Sequence, residues 1–516
     1  MGRSIAIPIL VIALVIASSL YISSMMGNPS THHRVKELRI AISTDISSID
    51  INYATGVADF EILGKVYEAL FKIDYDSIEK KLIYKPWLVE SYSQINETYW
   101  LFTLKKGVRF HNGDELTAWD VKASIERSME VSPIGRMLLR DVYGNPIIES
   151  ITVYNKTTFS LKLRSPFTPL VEHLAHLAVS IMPRTVAERY SNDRISNLSD
   201  VIGTGPYRII EYVRGQYIKL QRFSGYWNGE PHAEVITYIV APDPNTRVAA
   251  LETGQVDIAT GIPPEMVTQL ESRGFKIYNE VGVRFVIVAI NTQRIPDVRL
   301  RQAMNYAVDK KAIIDSVMKG FATPAESIVS QIFPGSVKLE GYSYSPEKAK
   351  MVIVEAGGVD RALTLLVSTR SPKDIEVAQI VQNFLSKVGI DVEIQTMEHT
   401  AFLKKVFTEH DFDLAIYGPS PSSLYYALSY WRSGAALNAP LYSNPEVDSL
   451  LDEVAREGDR ERQYELYRRI QEIIWRECPA IWLYYENIIV ATKPDIEGLK
   501  ILPFQMLILD TISIRG

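Results

Sequence analysis

Leu363 to Val367 reads as a strand, Ile375 to Lys387 as a helix, and Ile390 to Ile394 as a second strand, with almost no chain to spare between them. A crossover that short, carried by a helix, sets the two strands parallel and right-handed in one sheet. With helix and strand signals mixed throughout the chain, that pattern reads as α/β. Further strand signals lie far away in sequence. Leu38-Arg-Ile-Ala-Ile alternates near the start, and Phe412 to Tyr417 follows the crossover. With 516 residues, 47% of them hydrophobic, the chain has material for about three domains at roughly 150 residues each and can bury large cores.

Composition removes several function classes. A net charge of -6 and the lack of any long Lys/Arg tract argue against nucleic acid as a partner. The single cysteine, Cys478, excludes an internal disulfide and reads as a packed thiol with no histidine beside it. Arg3 followed by an apolar run from Ile5 to Ile22 is the layout of a cleaved secretory signal or of a retained N-terminal anchor, with Ala17-Ser18-Ser19 as a small-residue cleavage site. Either reading puts residues beyond about 30 outside the cytoplasm, behind a tether from Gly27 to His33.

Local signals fill in the organisation. Thr98 to Leu104 and Val108 to Phe110, around Lys105-Lys106-Gly107, read as a hairpin. Thr117-Ala-Trp-Asp120 is a capping box opening a helix whose apolar face holds Val121, Ile125 and Met129. Ile151 to Leu163 alternates around Asn155-Lys156 as a second hairpin. Ser345-Pro346 starts a helix that Gly357 stops, and Tyr464, Tyr467, Ile470 and Ile474 mark a late helix. Gly203-Thr-Gly-Pro-Tyr207 lacks the Lys-Ser/Thr of a phosphate loop and reads as a tight turn with its glycines at positive φ. His173-x-x-His176, in a helical pattern from Leu170 to Val179, lacks a third ligand in the local sequence although Glu172 is near, and reads as packing or exposed surface, so no metal or other cofactor is expected. Neither Gly-x-Ser-x-Gly nor His-Glu-x-x-His occurs, which leaves a secreted hydrolase without a motif.

Longer motifs carry a resemblance. Pro86-Trp-Leu-Val-Glu-Ser-Tyr, Leu101-Phe-Thr-Leu-Lys-Lys-Gly-Val-Arg-Phe-His-Asn-Gly-Asp and Leu116-Thr-Ala-Trp-Asp-Val-Lys come first. They are followed by Val201-Ile-Gly-Thr-Gly-Pro-Tyr-Arg with Tyr226-Trp-Asn-Gly, by Pro242 to Ala259, by Asp297 to Asp309, by Tyr344 to Lys350, and by Asn444 to Asp448. In this order they resemble the family 5 solute-binding proteins, the oligopeptide, dipeptide and nickel group that feeds ABC importers. The resemblance implies a type II periplasmic-binding-protein fold: two lobes joined by a hinge, with an extra subdomain inserted in lobe I. Lobe I is expected from 31–55, 184–288 and 485–516, the insertion from 56–183, and lobe II from 289–484. Crossings between lobes are expected near Ile287 to Thr292 and near Leu483 to Asn487. The implied role is non-enzymatic: a monomer holds a peptide, or alternatively an oligosaccharide, between closing lobes and docks on membrane permease subunits.

Peptide-binding relatives hold the ligand's α-ammonium with an aspartate in the loop after the strand that Phe412 to Tyr417 resembles. This chain has no acidic residue between Asp413 and Glu446. Asp45, Asp50, Asp59 and Glu398 are candidate replacements. The loop is instead aromatic, so Tyr417, Tyr425, Tyr426, Tyr430 and Trp431 are candidates for stacking on a sugar or for core packing alike. Thr369 and Arg370, at the end of a parallel strand, sit where open α/β sheets bind ligands, and Arg370 suits a carboxylate. Tyr53, Ser420 and Asn438 complete the set of candidate ligand contacts.

Overall fold

The computed structural model describes residues 32–33, 35–141 and 144–515; the N-terminal apolar run and its cleavage site lie outside them. One mixed sheet of eleven strands runs through the molecule. Ten of them are β1 (Glu37–Ile42), β2 (Tyr207–Val213), β3 (Tyr217–Arg222), β4 (Val235–Val240), β5 (Ile258–Thr260), β6 (Lys276–Ile290), β7 (Leu363–Ser368), β8 (Val392–Met397), β9 (Leu414–Tyr417) and β10 (Ala480–Thr492). Their order is β8-β7-β9-β6-β10-β5-β1-β4-β3-β2, and the short strand Ala322–Pro324 pairs with β10 off this path. The predicted crossover is present: β7 and β8 pair in parallel, joined by the helix Pro372–Ser386.

Two strands belong to both halves of this sheet. β6 and β10 pair antiparallel along most of their length, from Lys276 opposite Thr492 to Ala289 opposite Ala480. The outer ends of this ladder join β5 and thereby β1, whereas Ile287 to Ile290 pair with β9. The register slips between Val281 and Phe285 and again between Val286 and Ile287. Extra residues in one strand bend a ladder and raise its twist, so the sheet changes direction there. Gly282 sits in the first slip, where a Cβ would lie 2.8 Å from the Glu486 carbonyl oxygen. Separate cores flank the slip, one built on Leu38, Ile40, Ile236 and Ile258, the other on Val288, Leu365, Val381 and Ile481. The result is the expected two-lobed α/β architecture.

A third unit has its own sheet, in which Tyr99–Leu104 lies between Val89–Asn96 and Thr158–Leu163, and Ile148–Val153 forms the edge. The helix Ala118–Val131 covers it, opened by the Thr117/Asp120 capping box, with Val121 and Ile125 fully buried against Phe102 and Phe159. The expected hairpin at 98–110 is replaced by a different pairing. Tyr99–Leu104 has both edges taken, and Val108 and Phe110 are 1% and 0% exposed as irregular chain in the core. Alternating burial there comes from core filling and not from a ladder. The hairpin around Asn155 is present.

The glycines of Gly203-Thr-Gly-Pro also differ from expectation. Neither has positive φ. They are small because the chain passes against 65–67: a Cβ on Gly203 would be 2.0 Å from the Val66 carbonyl oxygen, and one on Gly205 2.6 Å from that of Lys65. The Gly205 and Tyr207 amides donate to Val66 and Lys65 across this contact. The histidine helix is shorter than predicted as well. It ends at His173, and His176 caps a separate 3-10 turn by accepting from the Ala178 amide. The two rings therefore do not share one helix face.

Candidate functional site

A cavity of about 280 Å³ opens beside the register slip. Gly282, Val283, Arg284 and Glu486 of the crossing strands line it, Ser420, Tyr426 and Tyr430 face it from one half, and Glu68, Lys72 and Trp87 face it from the other. The C-terminal segment Leu502 to Asp510 closes it. Arg284 ties these parts together, with Nη1 2.5 Å from Glu486 Oε2 and Nη2 3.1 Å from Asp374 Oδ2 at the start of the helix Pro372–Ser386.

Glu68 anchors the opposite wall. It accepts from Trp87 Nε1 and Tyr226 Oη at 2.7 Å, Thr204 Oγ1 at 2.8 Å and Trp227 Nε1 at 3.0 Å. Four neutral donors from three separate stretches converge on one carboxyl, which locks Trp87 and Tyr226 in place at the cavity edge. Burial pushes this carboxyl's pKa upward against those hydrogen bonds.

Of the residues expected to touch ligand, Ser420, Tyr426 and Tyr430 line the cavity. The others lie elsewhere. Asp45 accepts from Tyr212 Oη at 3.0 Å and the Gly215 amide at 2.7 Å. Tyr53 stacks under the Arg194 guanidinium. Tyr417 packs edge-on against Phe407. Tyr425 packs against Phe167. Trp431 is 2% exposed, edge-on to Trp482. Asn438 is spent on the backbone of Arg432 and Tyr442. Thr369 and Arg370 follow the end of β7, and Arg370 Nη1 contacts His399 Nε2 at 3.1 Å. Asp50, Asp59 and Glu398 are committed to Arg127, to the Ser47 and Gly56 amides, and to a helix cap. Sequence reasoning missed Glu68, Lys72, Arg284, Glu486 and Asp510. Glu68, Lys72 and Arg284 stand in segments without a local signal, Glu486 in an expected lobe crossing and Asp510 in the C-terminal part of lobe I, and only the fold brings them together. Among the described residues no group of three or more His, Cys, Asp or Glu is placed to hold a metal ion.

These features can be set beside known proteins. The profile of the bacterial extracellular solute-binding proteins, family 5, matches residues 84–438. The chain belongs to this family. It is the extracytoplasmic solute-binding component of an ABC importer and not an enzyme. Family 5 relatives include the glutathione-binding protein GsiB of Pectobacterium atrosepticum, 29% identical, aligned over 91% of this chain and 92% of the relative. The oligopeptide-binding protein AppA of Bacillus subtilis, solved with a nonapeptide, is 25% identical with a TM-score of 0.74 over 93% of this chain and 100% of that one. The substrate-binding protein CtaP of Listeria monocytogenes shares the fold with a TM-score of 0.83 at 24% identity, covering 94% of this chain and 100% of the other.

The family 5 chain also brings its inserted unit against the far half of the cleft. Tyr84 Oη donates to the Ser422 carbonyl at 2.8 Å, the Thr168 amide to that of Ala455 at 2.8 Å, and the Leu82 amide to that of Ile332 at 2.8 Å. Glu172 lies in this contact with its Oε2 buried and unpartnered. Burial raises its pKa to about 7, opposed by Ser423 and the Arg460 charge. Because the folded value lies above the unfolded one, its contribution to stability is complete below about pH 4.5 and is lost as pH rises to about 7. Glu172→Gln, which mimics the protonated acid, is expected to match the wild type at pH 4 and to melt higher than it at pH 8. Equal melting temperatures at both pH values would refute this assignment.

Proposed function

We propose that this solute-binding protein captures a short peptide in the cavity beside the crossing strands and delivers it to membrane permease subunits as its lobes close. The observation that carries the peptide reading is the charge on the cavity wall. Lys72, Arg284, Glu486 and Asp510 all face it. A neutral sugar can hydrogen-bond to such groups but has no charge to pair with them, whereas a peptide presents an ammonium and a carboxylate as well as amides. The volume, about 280 Å³, lies just below the roughly 300–1,000 Å³ of ligand pockets, which favours a short cargo.

Lobe I is taken as 31–55, 184–288 and 485–516 with 56–183 inserted, and lobe II as 289–484, hinged at the slips in the β6–β10 ladder. Solute drives closure by the preference of its contacts for the closed form. Ser420 and Tyr426 contact the cargo. The N-terminal run exports the chain or tethers it, and the protein works as a monomer.

The test is a thermal-shift screen of the purified protein against free tripeptides and linear oligosaccharides. Free tripeptides are expected to raise the melting temperature by mass action. A rise with oligosaccharides and none with peptides would replace peptide by sugar as the cargo.

A further inference from the structure

We propose that Lys72 and Asp510 recognise the two opposite charges of one zwitterionic solute, Lys72 its carboxylate and Asp510 its ammonium. This rests on the cavity being the cargo site and adds the charge pattern that the cargo must carry.

The argument is one of elimination along the cavity wall. Lys65 is neutralised by Glu61, with Nζ 3.1 Å from Oε2. Arg284 is shared between Glu486 and Asp374. Glu68 is saturated by its four donors. Two charged side chains of the wall remain. The Lys72 ammonium lies over the Trp87 ring, 4.1 Å from its centroid, and makes no ion pair among the described residues. A ring face polarises toward a cation without accepting its N–H groups as a carboxylate does, so the ammonium keeps donors to offer. The Asp510 carboxylate likewise accepts no hydrogen bond among the described residues, although its backbone carbonyl receives the His232 amide.

Both charges line the same cavity. Of the carboxylates that act on Lys72, Asp510 exerts the strongest pull. They come from opposite ends of the sequence, one following the core residue Phe71 and one in the tail that closes the cavity. Burial also holds the Lys72 ammonium below its ordinary pKa. A cation already stripped of water gains more from an incoming anion than an exposed lysine does. The pair answers the absence of acid between Asp413 and Glu446, with Asp510 supplying a carboxylate from the other lobe.

Isothermal titration of the wild type, Lys72→Met, Lys72→Arg and Asp510→Asn with four probes tests the assignment. The probes are trialanine, N-acetyl-trialanine, trialanine amide and the doubly capped peptide. The wild type is expected to lose at least about tenfold in affinity for either single cap, as charge-assisted hydrogen bonds are removed. Lys72→Met should bind trialanine and its amide alike while still rejecting acetylation. Asp510→Asn should show the reverse, and Lys72→Arg should keep both preferences. If the wild type binds all four probes equally, the charge pairing is overturned while the peptide reading stands. If it binds none, the peptide reading itself falls and takes the pairing with it. Variants that lose melting temperature yet keep the wild-type ratios among probes would make Lys72 and Asp510 a structural pair and overturn the proposal. The wild-type comparison of capped and free ligands needs no variant to fold.

Discussion

Arg127→Ala is expected to lower the unfolding free energy by about 3–5 kcal/mol, the cost of orphaning a buried charge. The Arg127 and Asp50 side chains are 1% and 0% exposed, with Nη2 2.6 Å from Oδ2. The guanidinium also donates to the Tyr190 carbonyl at 2.8 Å and the Asp193 carbonyl at 2.7 Å, and Asp50 accepts the Ile195 amide at 3.0 Å. Removing Arg127 leaves an ionised carboxylate and two carbonyls in the core. It also severs the link between the helix Ala118–Val131 of the inserted unit and the Asp50 turn of lobe I. The double variant Arg127→Met with Asp50→Leu should recover part of the loss, since no charge is left unpaired, although the Tyr190 carbonyl and the Ile195 amide still lose their partners. Chemical denaturation of both variants is the measurement. A loss below about 1 kcal/mol for the single variant would mean that water reaches the site.

Glu68→Ala carries the second large effect. Its four donors, two of them indole N–H groups, would lose their common acceptor, and an orphaned buried donor costs about 1–3 kcal/mol. The cavity supplies some water, so the expected loss is about 3 kcal/mol and not the fourfold sum. Trp87 and Tyr226 should loosen with it. Near-ultraviolet circular dichroism of the variant should therefore lose aromatic signal, and Glu68→Gln, which keeps one acceptor oxygen, should lie between. An unchanged spectrum and melting temperature would show that the two rings are held by packing alone.

The parts of this fold that were legible in sequence are those with local causes. The crossover helix and its two strands, the Thr117 capping box and the Ser345-Pro346 start each depend on residues within one turn or one strand. The parts misread depend on contacts between distant segments. Gly203 and Gly205 look like turn glycines, and only the backbone of 65–67 lying against them explains their size. Val108 and Phe110 alternate like a strand because their neighbours face a core, and the edge they would have paired with is already occupied. The cavity was hard to read for the same reason. Stacking residues were sought in the aromatic segment 417–431, but Trp431 and Tyr425 are spent on Trp482 and Phe167. Lysines and acids such as Lys72 and Asp510 carry no signature until the tail is laid across the cleft.

The two strands shared between lobes also decide when the protein can fold at all. Strand β1 is made first, yet the Arg39 amide waits for Asp257, 218 residues later, and Glu61 receives the Leu507 amide across 446 residues. The lobe I part of the sheet is not complete until β10 arrives to pair with β5. In a chain emerging from a ribosome or a translocation pore, lobe I therefore stays unfinished until β10 has been made. Loop-closure entropy delays such distant pairings, so lobe I is the late part of the molecule, whereas the separate four-stranded sheet, whose strands all lie between residues 89 and 163, can form from nearby chain.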